Sequence, residues 1–398
     1  MQAMRLSRNA RWAAPVVAVV VTGGAIAASG MTIAQASPDL PAKTPAQLLA
    51  AIASTQKIPA LTGTVVETTN LGLPKLPQVG NPTSLASLIT GSHTIKVYWQ
   101  DAKHFRLAMP STLSETDFIR NGTTLWLWES ESNTVTKFSL AGEGAKGNNA
   151  AKAARAAKMR KAAAQAEASV PQTPQQAAAD ALAAVGPTTV VSVDSTLTVA
   201  GEPAYQLVLA PKDSRSTIGS IRIAIDGKTS VPLRVQVFAK GASSPAFQVG
   251  YTDIEYVTPN SANFNFTPPS GATFDDTTKP QAPGTTEKQP VPNGTFGTYG
   301  KDWLTVAEVP QSMLTMVRTG ASPSASSSAS GGSVFSGDTQ MAINAFLGAG
   351  KQVSGSWGSG QLIHTSLINI LIVGNEMYIG AVEPSVLYAA VGHATPAS

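Results

Sequence analysis

The sequence predicts an α+β, mainly β fold: a strongly curved antiparallel half-barrel sheet covered by a few helices, plus a small C-terminal α+β module. Three observations carry this prediction. Apolar and polar residues alternate at period two through most of the chain, the pattern of strands with one buried face. The runs are joined by short turns such as Gln100-Asp101 and Asn121-Gly122, and connections this short pair antiparallel neighbours. About eleven such runs share two or three helical stretches, and a sheet this wide has to curl or split.

The chain of 398 residues opens with Arg5, Arg8 and Arg11, followed by an apolar run from Ala13 to Ala36 that ends in the small-x-small triplet Ala34-Gln35-Ala36. This is the form of an export signal. The run is also long enough to span a bilayer uncut. Residues 1–36 are therefore a cleaved signal or an uncleaved anchor, and in both cases the rest of the chain lies outside the cytoplasmic membrane, in the cell envelope or secreted. A half-barrel domain is expected over 37–268. It begins with a helix opened by Thr44-Pro45, with Leu48, Leu49 and Ile52 at helical spacing. A strand over 63–70 follows, then a Pro-broken excursion and the runs HTIKVYWQ, HFRLAMP, ETDFIR, TTLWLW and NTVTKFSL.

Over 141–171 the pattern collapses into an Ala/Lys-rich insertion with six Lys or Arg against two Glu. It has no apolar stripe to bury, which makes it a solvated insertion; the alternative is a basic arm touching anionic lipid headgroups at a membrane surface. A second helix, again opened by Thr-Pro, occupies 173–185. Strands then resume, with Tyr205, Leu207 and Leu209 on one face, Ile221, Ile223 and Ile225 on one face, and Leu233, Val235 and Val237 opposite Arg234 and Gln236. Residues 269–295 read as a linker by their Pro, Gly and Thr content. The module over 296–392 combines a strand at DWLTVAEVP, a Ser-rich flexible loop, a short helix, a hairpin turning at Gly374-Asn375 and a closing helix. It is too small for a large core of its own and is expected to dock on the sheet.

Composition excludes several chemistries. There is no cysteine, hence no disulfide, no thiolate metal site and no lipidated N-terminal Cys. The net charge of +4 falls to about +1 without the three N-terminal arginines, too small an excess for a nucleic-acid binder. His93, His104, His364 and His393 have no metal-ligand spacing, and His93 and His104 are expected beside turns. The SGSWGSG stretch at 354–360 lacks the order of a nucleophile elbow and precedes a strand. Glu115 and Asp117 share a strand face next to Arg120, which surface pairing explains. No acid, base and nucleophile assemble, so the chain is read as a non-enzyme with no cofactor or metal.

What remains is apolar area. Trp99, Phe105, Leu107, Met109, Trp126 and Trp128 fall within adjacent strands, and each indole offers roughly 150–250 Å² of mostly apolar surface that needs a cover. Together with Tyr205, Leu207, Ile221, Ile223, Val235 and Val237 they are the candidates for lining an apolar trough that accepts acyl chains. Leu125 and Leu127 could equally be the inward pair, which leaves the two tryptophans on a protein contact.

The order of these elements, with the phrases G-x-P-A-Y-x-L-x-L-x-P (Gly201 to Pro211) and I-x-I-D-x-x-T-x-x-P-L-R (Ile223 to Arg234), resembles the lipoprotein carrier LolA superfamily, particularly its actinobacterial exported members. The glycolipid-binding lipoproteins LprG and LppX and the N-terminal domain of the envelope-stress regulator RseB share that fold class. The resemblance spans Thr44 to Pro269. It implies a curved sheet holding acyl chains of a lipid, glycolipid or lipoprotein against its helices, and carries over no individual residue. The extra module leaves a second role open, an RseB-like regulator acting through a membrane anti-sigma partner.

Overall fold

Both long helices start for the same local reason. In the computed structural model, Thr44 and Thr173 each precede a Pro, and each exchanges hydrogen bonds with the Gln three residues on. Thr44 N donates to Gln47 Oε1 at 2.8 Å while Gln47 N donates to Thr44 Oγ1 at 3.2 Å; Thr173 and Gln176 repeat this at 2.9 and 3.3 Å. These reciprocal bonds satisfy two otherwise orphaned donors at each helix start. They open α1 (Pro45–Ser54) and α2 (Pro174–Ala183).

The structure describes residues 38–54, 58–72, 92–111, 113–139, 172–183, 185–276, 297–309, 344–393 and 395–396. The export signal or anchor at 1–36, the insertion at 141–171, the Ser-rich loop and most of the linker lie outside them. Among the described residues no helix is long and apolar enough to cross a membrane.

The strands are β1 (Leu61–Thr69), β2 (Ser92–Asp101), β3 (His104–Pro110), β4 (Glu115–Asn121), β5 (Thr124–Glu129), β6 (Thr134–Ser139), β7 (Thr189–Val199), β8 (Glu202–Pro211), β9 (Ile218–Asp226), β10 (Pro232–Ala239), β11 (Phe247–Glu255) and β12 (Thr273–Asp276). They form one 12-stranded sheet in the order β12-β6-β5-β4-β3-β2-β1-β11-β10-β9-β8-β7. Two meanders thus meet where β1 pairs with β11, and the fold is the mainly β, curved sheet with few helices that the periodicity predicts. Every pairing is antiparallel except β12 with β6, and β12 lies inside the stretch whose composition reads as linker.

Two turns sit one residue or more from their sequence signals. Asn121 pairs with Thr124, so Gly122 and Thr123 form the β4–β5 turn, with Gly122 at φ +61°. The Asn121 amide is used elsewhere, donating to Phe264 O at 3.3 Å and Asn265 Oδ1 at 3.0 Å. The β2–β3 turn is Ala102-Lys103 instead of Gln100-Asp101, with Asp101 opposite His104.

The C-terminal module is a seven-stranded sheet, β15 (Lys351–Gly355), β16 (Gly358–His364), β17 (Asn369–Val373), β18 (Glu376–Gly380), β14 (Val306–Val309), β13 (Gly297–Tyr299) and β19 (Thr395–Pro396), in that spatial order. Within DWLTVAEVP, 302–304 form a 3-10 turn and only 306–309 are strand. One face of this sheet buries Val306, Leu371 and Tyr378 against Val386, Leu387 and Ala390 of α3 (Pro384–Ala390). Its other face, with Ile363, Ile370, Ile372, Met377 and Ile379, joins the core of the large sheet. The SGSWGSG glycines close the β15–β16 hairpin, where Trp357 stacks on Tyr388 with ring centroids 5.0 Å apart.

Candidate functional site

Cross-strand register decides which side chains share a face. One row runs Leu61, Trp99, Phe105, Arg120, Leu125, Phe138 across β1 to β6. The next runs Gly63, Val97, Leu107, Phe118, Leu127, Thr136. Both rows lie on the core side, since Leu61, Val97, Leu107, Phe118, Leu125 and Phe138 belong to the shared hydrophobic cluster. On the same side of the other meander, Leu207 and Ile223 pair across β8 and β9, Ile223 with Val235 across β9 and β10, and Ile221 with Val237.

Cover differs along this core side. Over β8–β10, Tyr205, Leu207, Ile221, Ile223, Val235 and Val237 are all buried, Leu207 and Ile223 with no exposed surface at all, while Val191, Val193 and Leu197 on the edge strand β7 are half-buried. Helix α2 packs over β10 and β11, and its Gln175 bonds the Tyr251 hydroxyl at 3.1 Å. Burial holds that phenol above the usual tyrosine range. The Tyr251 ring lies over Gly63, where a Cβ would come within 2.9 Å of it, so any larger residue at 63 would collide with the ring. The module seals the end of the sheet where β7, β9 and β11 begin and β1 ends. There Trp303 Nε1 donates to Thr189 Oγ1 at 2.8 Å, Thr217 N donates to Ala381 O at 3.0 Å, Ser366 N donates to Leu71 O at 2.9 Å, and Lys240 pairs with Glu383 at 2.8 Å.

Over β2–β5 the cover is thinner. Leu107 is buried, but Trp99, Phe105, Met109 and Leu127 are only half-buried. Trp99 stacks on Phe105 with centroids 5.5 Å apart, and Phe105 leans on Phe118 at 5.9 Å. These side chains form an apolar strip open along part of its length. Two polar groups interrupt it. The Trp99 Nε1 atom is out of solvent with no hydrogen-bond partner among the described residues, and the Arg120 Nε donates to Gly122 O at 3.2 Å.

Trp126 and Trp128 are not part of this strip. Trp126 lies opposite Ile119 and Lys137, and Trp128 opposite Asp117 and Val135, which places both on the outer face. Leu125 and Leu127 are the inward pair. The indoles are covered by the chain after β11: Phe266 lies 5.5 Å from Trp126 and 6.1 Å from Trp128, Phe274 lies 6.0 Å from Trp126, and Lys137 Nζ sits 5.1 Å over the Trp126 ring. Alternation places both tryptophans together and is silent on which side they take.

The outer face also holds the Glu115 and Asp117 carboxylates. Their cationic partner is Arg106 of β3, not Arg120. Arg106 Nε reaches Asp117 Oδ1 at 3.1 Å, and its Nη2 reaches Asp117 Oδ2 at 2.6 Å and Glu115 Oε1 at 3.3 Å. The register explains the exchange, since Arg120 alternates with Asp117 onto the opposite face. Burial pushes the Asp117 carboxyl up to about 6 despite the Arg106 bonds, with Glu115 adding to the rise. His93 is half-buried in β2 directly across from the buried Glu67 of β1, instead of lying exposed beside a turn. Among the described residues no group of three His, Asp or Glu is placed to hold a metal ion.

No protein-family model matches the chain, and no curated protein matches it. Among solved structures it is similar to MucB in complex with MucA(peri), at 10% identity over 89% of this chain and 99% of that one, with a TM-score of 0.41. It is similar to the Pseudomonas aeruginosa MucA/MucB complex at 11% identity over 89% and 99%, with a TM-score of 0.40. A LolA superfamily protein from Nitrosomonas europaea is 9% identical over 56% of this chain and 99% of that one, with a TM-score of 0.21. Likeness at this level concerns the general arrangement of strands alone.

Proposed function

We propose that this chain is an extracytoplasmic, non-catalytic binding protein that holds acyl chains of a lipid, glycolipid or lipoprotein on the half-open strip over β2–β5. One observation carries this reading. On the core side of the sheet, where β8–β11 pack against α2 and the C-terminal module, Trp99, Phe105, Met109 and Leu127 over β2–β5 stay partly uncovered. Apolar surface left in water forgoes roughly 25 cal/mol per Å², so an acyl chain laid along these four residues recovers that term. Met109 adapts to a chain with no fixed shape. Of the residues that the sequence offers as trough lining, Tyr205, Leu207, Ile221, Ile223, Val235 and Val237 serve on this reading as packed core.

The test is native mass spectrometry of the chain purified without detergent, combined with displacement of a fluorescent acyl probe. Co-purifying lipid, and probe binding weakened by Leu127→Gln, is the expected result. An empty chain that binds no probe would refute the proposal. The docked module favours a second reading, a regulator resembling RseB that reports envelope lipid to a membrane anti-sigma partner. Recovery of such a partner by cross-linking in cells, dependent on residues 297–398, would select it.

A further inference from the structure

We infer that the lipid held on this strip is anionic and ester-linked, with its anionic head bound by Arg120 and an ester carbonyl accepting from the Trp99 indole. This rests on the acyl-binding reading and narrows it to one class of ligand. Trp99 and Arg120 stand in one cross-strand row, separated only by Phe105. The row lies at the end of the strip marked by the β2–β3 and β4–β5 turns, away from the module.

Each group lacks what such a ligand would supply. The Trp99 N–H is out of solvent with no acceptor among the described residues, a state that costs about 1–3 kcal/mol; an ester carbonyl reaches it when the side chains over the indole edge move aside for the ligand. The Arg120 guanidinium has a backbone carbonyl on its Nε, and among the described residues no carboxylate lies within ion-pair distance of it. The acids nearest in sequence are engaged: Asp117 and Glu115 with Arg106 on the outer face, and Asp101 with His104 at 3.1 Å. A cation at the open end of an apolar strip complements a chain that ends in a negative head.

Spacing selects within that class. Two strand intervals separate Trp99 from Arg120, about 10 Å between backbones. A free fatty acid offers a single carboxylate in place of two separated acceptors. A diacyl phospholipid places its ester carbonyl and phosphate a few bonds apart, within the reach of a long arginine, and its chains run from there over Phe105, Leu127 and Met109.

The test compares four soluble probes on the full chain: dioctanoyl phosphatidylglycerol, its dialkyl ether analogue, dioctanoylglycerol and inorganic phosphate, read by calorimetry. The expected result is phosphatidylglycerol about 10-fold tighter than dioctanoylglycerol and about 5-fold tighter than its ether analogue, with phosphate alone not competing. Arg120→Gln should bring the first ratio to about one and Arg120→Lys should restore part of it, while Trp99→Phe should erase the ester-over-ether ratio. Equal affinity for the charged and neutral lipids would overturn this inference and leave acyl binding standing. Competition by inorganic phosphate at matching affinity would overturn it in favour of a simple anion site. Binding of none of the lipids would remove both readings together.

Discussion

Leu207→Ala separates the sealed half of the concave face from the open half. Leu207 lies in register between Val193 and Ile223 and has no exposed surface. Truncating a leucine there loses the transfer free energy of the removed carbons and leaves a cavity that the surrounding core can only partly close, about 3–4 kcal/mol together. Leu127 faces the same way but is half-buried, and its truncation loses about 1 kcal/mol because water already reaches it. With a urea slope of about 3 kcal/mol/M, the two variants should shift the unfolding midpoint by about 1 M and about 0.3 M. Acyl-probe affinity should move in the opposite order, falling for Leu127→Ala and holding for Leu207→Ala at concentrations where that variant is folded. Equal midpoint shifts, or loss of probe binding in a well-folded Leu207→Ala, would refute the division of the face.

Four further outcomes follow from the contacts. The Asp117 carboxyl is raised to about 6, so the folded state binds the proton more tightly than the unfolded chain does. Its contribution to stability is therefore full below about pH 4 and lost as pH rises through about 6, by at most about 3 kcal/mol; the difference in Tm between wild type and Asp117→Asn, followed from pH 4 to 7, should show that slope. Phe266→Ala uncovers two indoles on the outer face and should cost about 2 kcal/mol with a red shift in tryptophan emission, and an unshifted spectrum would contradict the clasp. Because the module shares its core with the large sheet, wild type should melt in one calorimetric transition; Ile370→Asp, which puts a charge into that shared core, should split it into two. Lys240→Ala breaks a half-exposed ion pair with Glu383 and an exposed bond to Ser214 O, and should cost about 1 kcal/mol or less.

Much of this architecture is legible in the chain because period-two alternation is written residue by residue. Ile221, Ile223 and Ile225, and Val235 and Val237, fall on the core face as the pattern requires. The two helices are legible through Thr-Pro followed by Gln, a signal whose bonding partners lie within one turn. Long-range order is not. Nothing local to Thr189–Val199 says that it forms one end of a 12-stranded sheet, and nothing in β1 says that its second neighbour is β11, more than 170 residues away. The edge strand β12 is hidden by its composition, since four residues with two aspartates carry no alternation strong enough to oppose the linker-like sequence around them.

The site divides along the same line. Alternation groups Trp126 with Trp128 and Leu125 with Leu127, but a strand with apolar residues on both faces leaves its inward side to be chosen by what packs on it. Here that choice is made by Phe266 and Phe274, 138 or more residues downstream. The same ambiguity hides Arg120. Beside Glu115 and Asp117 in sequence, it reads as the third member of a surface cluster, yet it alternates with Asp117 and so shares its face with Phe118, which is buried in the core. Strict alternation along DFIRN already carried that signal: if Phe118 is inward, Arg120 must be inward too. An arginine on the apolar side of a sheet either keeps its guanidinium toward water or meets an anion. On the proposed reading, the half-open strip is where that anion binds.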